Sequence, residues 1–155
     1  MKKIFLLLIS IMVLGHSSEA AGAYVPWRLD RLSATLSNSD TLSVYISVIE
    51  DHHYKELDYE LNIIDSAGIK ITGYPIVKKE KKLYPDGTYS REHVKRYTIK
   101  IPEKLLPGEY KISFRVSGKV KTREGEVVDI EKEVKILKIT VTDRKHSSRD
   151  VKNNG

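Results

Sequence analysis

Between Tyr74 and Tyr97 the chain carries Lys78, Lys79, Lys81, Lys82, Arg91, Lys95 and Arg96, interleaved with four tyrosines, Tyr74, Tyr84, Tyr89 and Tyr97. Cationic groups set among aromatic faces can hold a sugar ring or an anionic polymer, by charge and by stacking. The same lysines would equally guard the solvated edge of a sheet against unwanted strand pairing. Pro85-Asp86-Gly87 lies at the middle of the segment and is a strong turn signal. It predicts a hairpin with arms 69–83 and 89–101, and Tyr84 and Tyr89 are expected to face each other near its tip. The candidate binding residues are Lys78, Lys79, Lys81, Lys82, Tyr84, Tyr89 and Arg91.

A second group is His52-His53, within Glu50-Asp51-His52-His53-Tyr54. Adjacent imidazoles beside a carboxylate suit Cu(II), Ni(II) or Zn(II). Neighbouring residues of a strand point to opposite faces, so His52 and His53 share one ion only if a loop carries them. The plainer reading is an exposed polar turn, dispensable for folding, because a metal site needs further ligands. The only methionines, Met1 and Met12, offer no help, since both lie in the N-terminal apolar segment.

Covalent catalysis has little to work with. There is no cysteine, no Gly-x-Ser-x-Gly elbow, no His-Glu-x-x-His and no phosphate-binding loop. Beyond the first residues the histidines are His52, His53, His93 and His146. The expectation is a protein that is not an enzyme and needs no cofactor. A hydrolase or a protease inhibitor is the remotest alternative.

The elements that must position these groups are strands. Leu42, Val44, Ile46 and Val48 alternate with polar residues, as do Leu57, Tyr59, Leu61 and Ile63, then Tyr97, Ile99 and Ile101, then Tyr110, Ile112, Phe114 and Val116. Asp65-Ser66-Ala67-Gly68 reads as a turn, and an earlier strand is predicted from Trp27 to Leu36. In the last strand Val134 and Ile136 fall out of phase with Ile139 and Val141, which predicts a bulge near Leu137-Lys138. No window carries a helical stripe. About seven short strands with turn signals between them describe an all-β antiparallel sandwich, residues 24–142. The polar stretch 143–155 is predicted to be a disordered tail.

The segment Leu105-Leu106-Pro107-Gly108-Glu109-Tyr110, followed by alternating apolar residues, resembles the corner that leads into the sixth strand of immunoglobulin-like and fibronectin type III-like domains. In that corner Pro107 fixes its own φ and Gly108 supplies a backbone angle other residues avoid. The resemblance implies that Tyr110 returns its hydroxyl to the corner backbone. Leu106, Pro107, Gly108 and Tyr110 are then structural. The sequence departs from antibody-type domains in having no cysteine pair and no tryptophan in the third strand; its only tryptophan is Trp27. Such folds serve adhesion, ligand binding and spacing alike, so fold does not select function.

Met1-Lys2-Lys3, the apolar run Ile4 to Leu14 and the small residues up to Ala23 have the three parts of a secretory signal peptide. The signal is placed at 1–20, with cleavage after Ala20 or Ala23. Spanning a bilayer takes about 20 apolar residues, more than this run supplies. No later segment is long enough, so no transmembrane segment is expected after cleavage. The remaining chain of about 130 residues suits one domain with one core. Loss of Lys2, Lys3 and Glu19 would change the formal net charge from +6 to +5. A periplasmic or extracellular protein, with bacterial character, is expected. Its function would be a non-catalytic interaction module that binds an envelope protein or an anionic surface polymer, with no role for nucleic acid. The alternative is a metal or small-ligand carrier using His52 and His53.

Overall fold

The computed structural model describes residues 22–143, so the predicted signal peptide and most of the predicted tail lie outside the described residues. Among the described residues no helix is long and apolar enough to cross a membrane. The strands, in chain order, are β1 (Trp27–Leu29), β2 (Ser33–Ser37), β3 (Thr41–Asp51), β4 (Tyr54–Asp65), β5 (Lys70–Gly73), β6 (Val77–Lys78), β7 (Lys82–Leu83), β8 (Tyr89–Lys100), β9 (Gly108–Thr122), β10 (Val127–Asp129) and β11 (Val134–Thr142).

They form two sheets. In one, β1, β3, β8 and β5 are neighbours in that order, and β6 and β7 also pair with β8. In the other, β9 is flanked by β4 on one side and by β11 and β10 on the other, and β2 adds parallel to β11. Consecutive long strands β3 and β4 therefore belong to different sheets, and so do β8 and β9. The paths β1-β3-β8-β5 and β4-β9-β11 are the strand order of an immunoglobulin-like sandwich, and β1 and β2 send the first part of the chain to one sheet each.

Alternation explains the packing. Val44, Ile46 and Val48 of β3 and Ile99 of β8 face Ile112, Phe114 and Val116 of β9 and Leu137 and Ile139 of β11, all fully buried. Burying each such side chain is worth roughly 1.5–3 kcal/mol.

Two sequence expectations need correction. The run from Trp27 to Leu36 is not one strand. Leu29 is inward in β1, whereas Ala34 and Leu36 pack on the core from β2, so the phase switches across Asp30-Arg31-Leu32. At the crossing, the Tyr45 amide donates to the Asp30 carboxylate at 3.0 Å, and the Lys138 amide donates to the Leu32 carbonyl at 2.9 Å. These bonds satisfy backbone groups where the chain changes sheets. Nor is there a bulge at Leu137-Lys138. The β9–β11 register runs unbroken from Val134↔Arg115 to Val141↔Gly108. Val134 and Ile136 are outward-facing, 46% and 45% exposed, and they mimicked a phase that the core does not use. The irregularities lie in β4 instead, between Tyr54 and Glu56 and between Ile63 and Asp65.

The corner into β9 is formed as the resemblance implies. The Tyr110 hydroxyl donates to the Leu106 carbonyl at 2.7 Å, and Gly108 has φ 154°. Gly118 is required on steric grounds, since a Cβ there would lie 2.2 Å from the Asp58 carbonyl oxygen. Tyr110→Phe removes one net hydrogen bond, so denaturant unfolding should show a loss of about 1 kcal/mol. An unchanged midpoint would mean that the hydroxyl contributes nothing to the corner.

Candidate functional site

The predicted hairpin exists, but its first arm is broken. β5, β6 and β7 each pair with β8 antiparallel, separated by Tyr74-Pro75-Ile76 and by Lys79-Glu80-Lys81. Pro75 cannot donate to a ladder and accounts for the first gap. Asp86 closes the tip. Its carboxylate accepts from the Thr88 amide at 2.9 Å and the Thr88 hydroxyl at 2.6 Å, and these bonds hold its carboxyl below the usual range. Tyr84 does not lie opposite Tyr89. Leu83 takes that place, and the Tyr84 hydroxyl reaches Ser90 Oγ at 3.2 Å.

The broken arm and the N-terminal segment, on opposite sides of β3 and β8, wall an open cleft of about 600 Å³. Its walls are Tyr24, Pro26, Trp27 and Arg28 on one side and Lys79, Glu80, Lys82 and Tyr84 on the other, over a floor of Ile49, Ser90 and Glu92. The charges are partly paired. Lys79 Nζ lies 2.8 Å from one oxygen of Glu92, and Arg28 lies 3.5 Å from the other. Hydrogen bonds from Lys79 and then Ser47 hold the Glu92 carboxyl below the usual carboxylate range. Lys82 sits 5.2 Å from the Tyr84 ring centroid.

Three sequence candidates, Lys79, Lys82 and Tyr84, thus converge on the cleft. The others are sent elsewhere by the pleat. Lys81 lies 3.5 Å over the Tyr89 ring, away from the cleft. Lys78 is in register with His93, and Arg91 with Glu50. Tyr89 lines a second cavity of about 500 Å³ with Tyr84, Pro85, Asp86, Thr88, Ser90, Asp51 and His52. His52 and His53 do occupy a turn, between β3 and β4. Along the same face as the cleft, Arg96 stacks 4.0 Å over Tyr74, beside Tyr45 and Val77.

Sequence reasoning missed Tyr24, Arg28 and Glu92 of the cleft, and it missed a buried polar chain beneath this end of the sandwich. His93 is 1% exposed. Its Nε2–H donates to Glu50 at 2.7 Å, and Nδ1 accepts from the Tyr59 hydroxyl at 2.9 Å. Tyr59 comes from the facing sheet, so the chain of bonds ties the sheets together. The signal was available: counting back by twos from Ile101, Ile99 and Tyr97 places His93 on the core face. Burial pushes the His93 imidazole below its ordinary value. The bond to Glu50 opposes that shift, and the charges of Lys78 and Arg91 add to it. Burial, then the Glu50 charge, pushes the Tyr59 hydroxyl above its ordinary range.

No protein-family model matches the chain, and no curated protein matches it. Among solved structures, the chain is similar to AggA, the major subunit of aggregative adherence fimbriae type I from Escherichia coli. That likeness has 12% identity and a TM-score of 0.43, and it covers 76% of this chain and 94% of that one. A family 123 glycoside hydrolase from Clostridium perfringens is similar at 12% identity and a TM-score of 0.42, over 79% of this chain and 28% of that one. The immunoglobulin-like sandwich is defined here by strand order, independently of either likeness.

A histidine whose folded-state pKa is depressed binds fewer protons folded than unfolded, so its stabilising contribution is full above the unfolded value of about 6.5 and is lost as pH falls below it. Thermal unfolding should therefore show the midpoint falling between pH 7.5 and 5. In His93→Gln, whose amide can both donate and accept, the fall should be shallower. Parallel slopes for the two proteins would remove His93 as the cause.

Proposed function

We propose that this chain is an exported, non-catalytic binding domain that holds an anionic surface polymer, such as an acidic glycan, in the cleft between the hairpin and the N-terminal segment. The observation that carries the reading is the convergence of Lys79, Lys82 and Tyr84 with Tyr24 and Arg28 around one cavity. Rings supply contact area for sugar faces and cations supply charge. Within the cleft, Glu92 serves as the counter-ion of Lys79 and Arg28, whose hydrogen bond and charges help hold its carboxyl low. The other reading, an envelope protein adding a strand to the exposed β5–β7 edge, makes different use of the same hairpin.

The test uses dextran sulfate as the anionic probe and unmodified dextran as its neutral control. Dextran sulfate should bind, and affinity should fall as salt rises, because exposed charges are screened beyond roughly 10 Å at 0.1 M ionic strength. Combined Lys79→Ser, Lys82→Ser and Tyr84→Ser should fold normally and lose at least tenfold in affinity. Retained affinity in that variant would sink the cleft reading. Capture of an envelope protein that survives it would favour strand addition.

Export has its own test. The Ala23 amide donates to the Asp129 carbonyl at 2.7 Å, and the Glu131 amide donates to the Ala23 carbonyl at 2.8 Å. Cleavage after Ala23 would discard both bonds, whereas cleavage after Ala20 keeps them. Intact mass of the exported protein should give Ala21 as its first residue, and a chain still carrying Leu6 to Leu14 would overturn export.

A further inference from the structure

We propose that the turn joining β3 to β4 is a metal site, in which Asp51, His52 and His53 bind one late first-row divalent cation: Zn(II), Cu(II) or Ni(II). This is separate from the polymer-binding reading and does not rest on it.

An extended strand would send adjacent imidazoles to opposite faces. Here His52 and His53 lie in the turn, with ring centroids 4.0 Å apart. One ligand atom from each of Asp51, His52 and His53 falls within 4.8 Å of the others. Metal–ligand bonds of about 2.0–2.2 Å bring tetrahedral ligand atoms to roughly 3.4 Å apart, so modest side-chain rotation completes the set. Two imidazoles with a carboxylate are borderline ligands that select zinc, copper or nickel over magnesium or calcium.

The turn is held in shape before any ion arrives. The His53 amide donates to Asp51 Oδ1 at 2.8 Å, and Arg123 Nε donates to the His52 carbonyl at 2.6 Å. Asp51 keeps its second oxygen for a metal. Asp86, whose Oδ1 is committed to Thr88, lines the cavity that Asp51 and His52 also line. The nearby Arg123 guanidinium opposes a cation, and the Asp51 carboxylate offsets it.

The experiment is calorimetric titration of the untagged mature chain with ZnCl2, CuSO4 and NiCl2, with MgCl2 as the hard-cation control. One site should appear, micromolar or tighter for at least one of the three, with no heat from magnesium. His52→Ala should weaken binding at least tenfold. The double variant His52→Ala, His53→Ala should abolish it and leave the metal-free melting temperature unchanged. In the wild type, substoichiometric Cu(II) should broaden the imidazole resonances of His52 and His53 ahead of those of His93. No binding up to millimolar metal, binding that survives in the double variant, or broadening that begins elsewhere would each overturn the site.

Discussion

Everything in this molecule depends on holding two sheets together without a covalent link. The chain has no cysteine, so the inter-sheet disulfide of antibody-type domains is unavailable. Interleaved apolar side chains do the work, centred on Phe114 and Tyr97, whose rings lie 5.5 Å apart at 54°. That tilted geometry suits the ring quadrupoles. Two polar links cross the same gap. The Tyr97 hydroxyl donates to the Leu61 carbonyl at 3.3 Å, and burial pushes that hydroxyl's pKa up to about 12. At the end of the sandwich, Tyr59 reaches His93 and through it Glu50. These links contribute direction more than energy. A buried polar group with its partners satisfied costs little, but the same group out of register would be left unpaired. They therefore favour one alignment of the sheets, where apolar packing alone would tolerate several.

β8 transmits that alignment to the surface. One of its edges pairs with β3 along eleven residues, Thr41 to Asp51, and the other carries β5, β6 and β7. Its pleat separates the chemistry of its own residues. His93, Tyr97 and Ile99 turn toward the core, while Ser90 and Glu92 turn to the cleft. The basic segment is thus not one patch. Lys79 and Arg28 converge on Glu92, Lys81 stacks on Tyr89 and Arg96 stacks on Tyr74, so much of the mutual repulsion is relieved by ion pairing and by ring faces. A run of lysines in sequence becomes several distinct local environments in space.

The fold was legible in the sequence where one face is buried and the other solvated. The alternations in β3, β8 and β9 placed Val44, Ile99 and Phe114 correctly, and Leu106-Pro107-Gly108 followed by Tyr110 announced its corner because the corner's chemistry is local. Legibility failed where two apolar patterns overlapped. Val134 and Ile136 are apolar but outward, and nothing in a single strand distinguishes them from core. It also fails at Asp30-Arg31, where a phase switch marks a change of sheet inside a run that reads as one continuous strand. The cleft was legible only in half. Lys79, Lys82 and Tyr84 could be singled out by composition, but Tyr24 and Arg28 lie about 50 residues earlier in the chain, and only the pairing of β1 with β3 brings them across.

Tyr84 shows how closely the surface features are bound to one another. Its ring is a wall of both the 600 Å³ cleft and the 500 Å³ cavity beside the histidine turn. Its hydroxyl is held by Ser90, and its amide donates to the Thr88 carbonyl at 2.9 Å. Thr88 in turn holds Asp86. The tip is therefore not a free loop but a short hydrogen-bonded frame rooted in β8, whose register is set by β3, whose own place is set by the core. A side chain on such a frame presents a fixed surface, so a ligand meeting it loses less to ordering than it would on a mobile loop. That rigidity is what the proposed recognition at this end of the sandwich draws on, where cations, carboxylates and rings sit on segments rooted in the core.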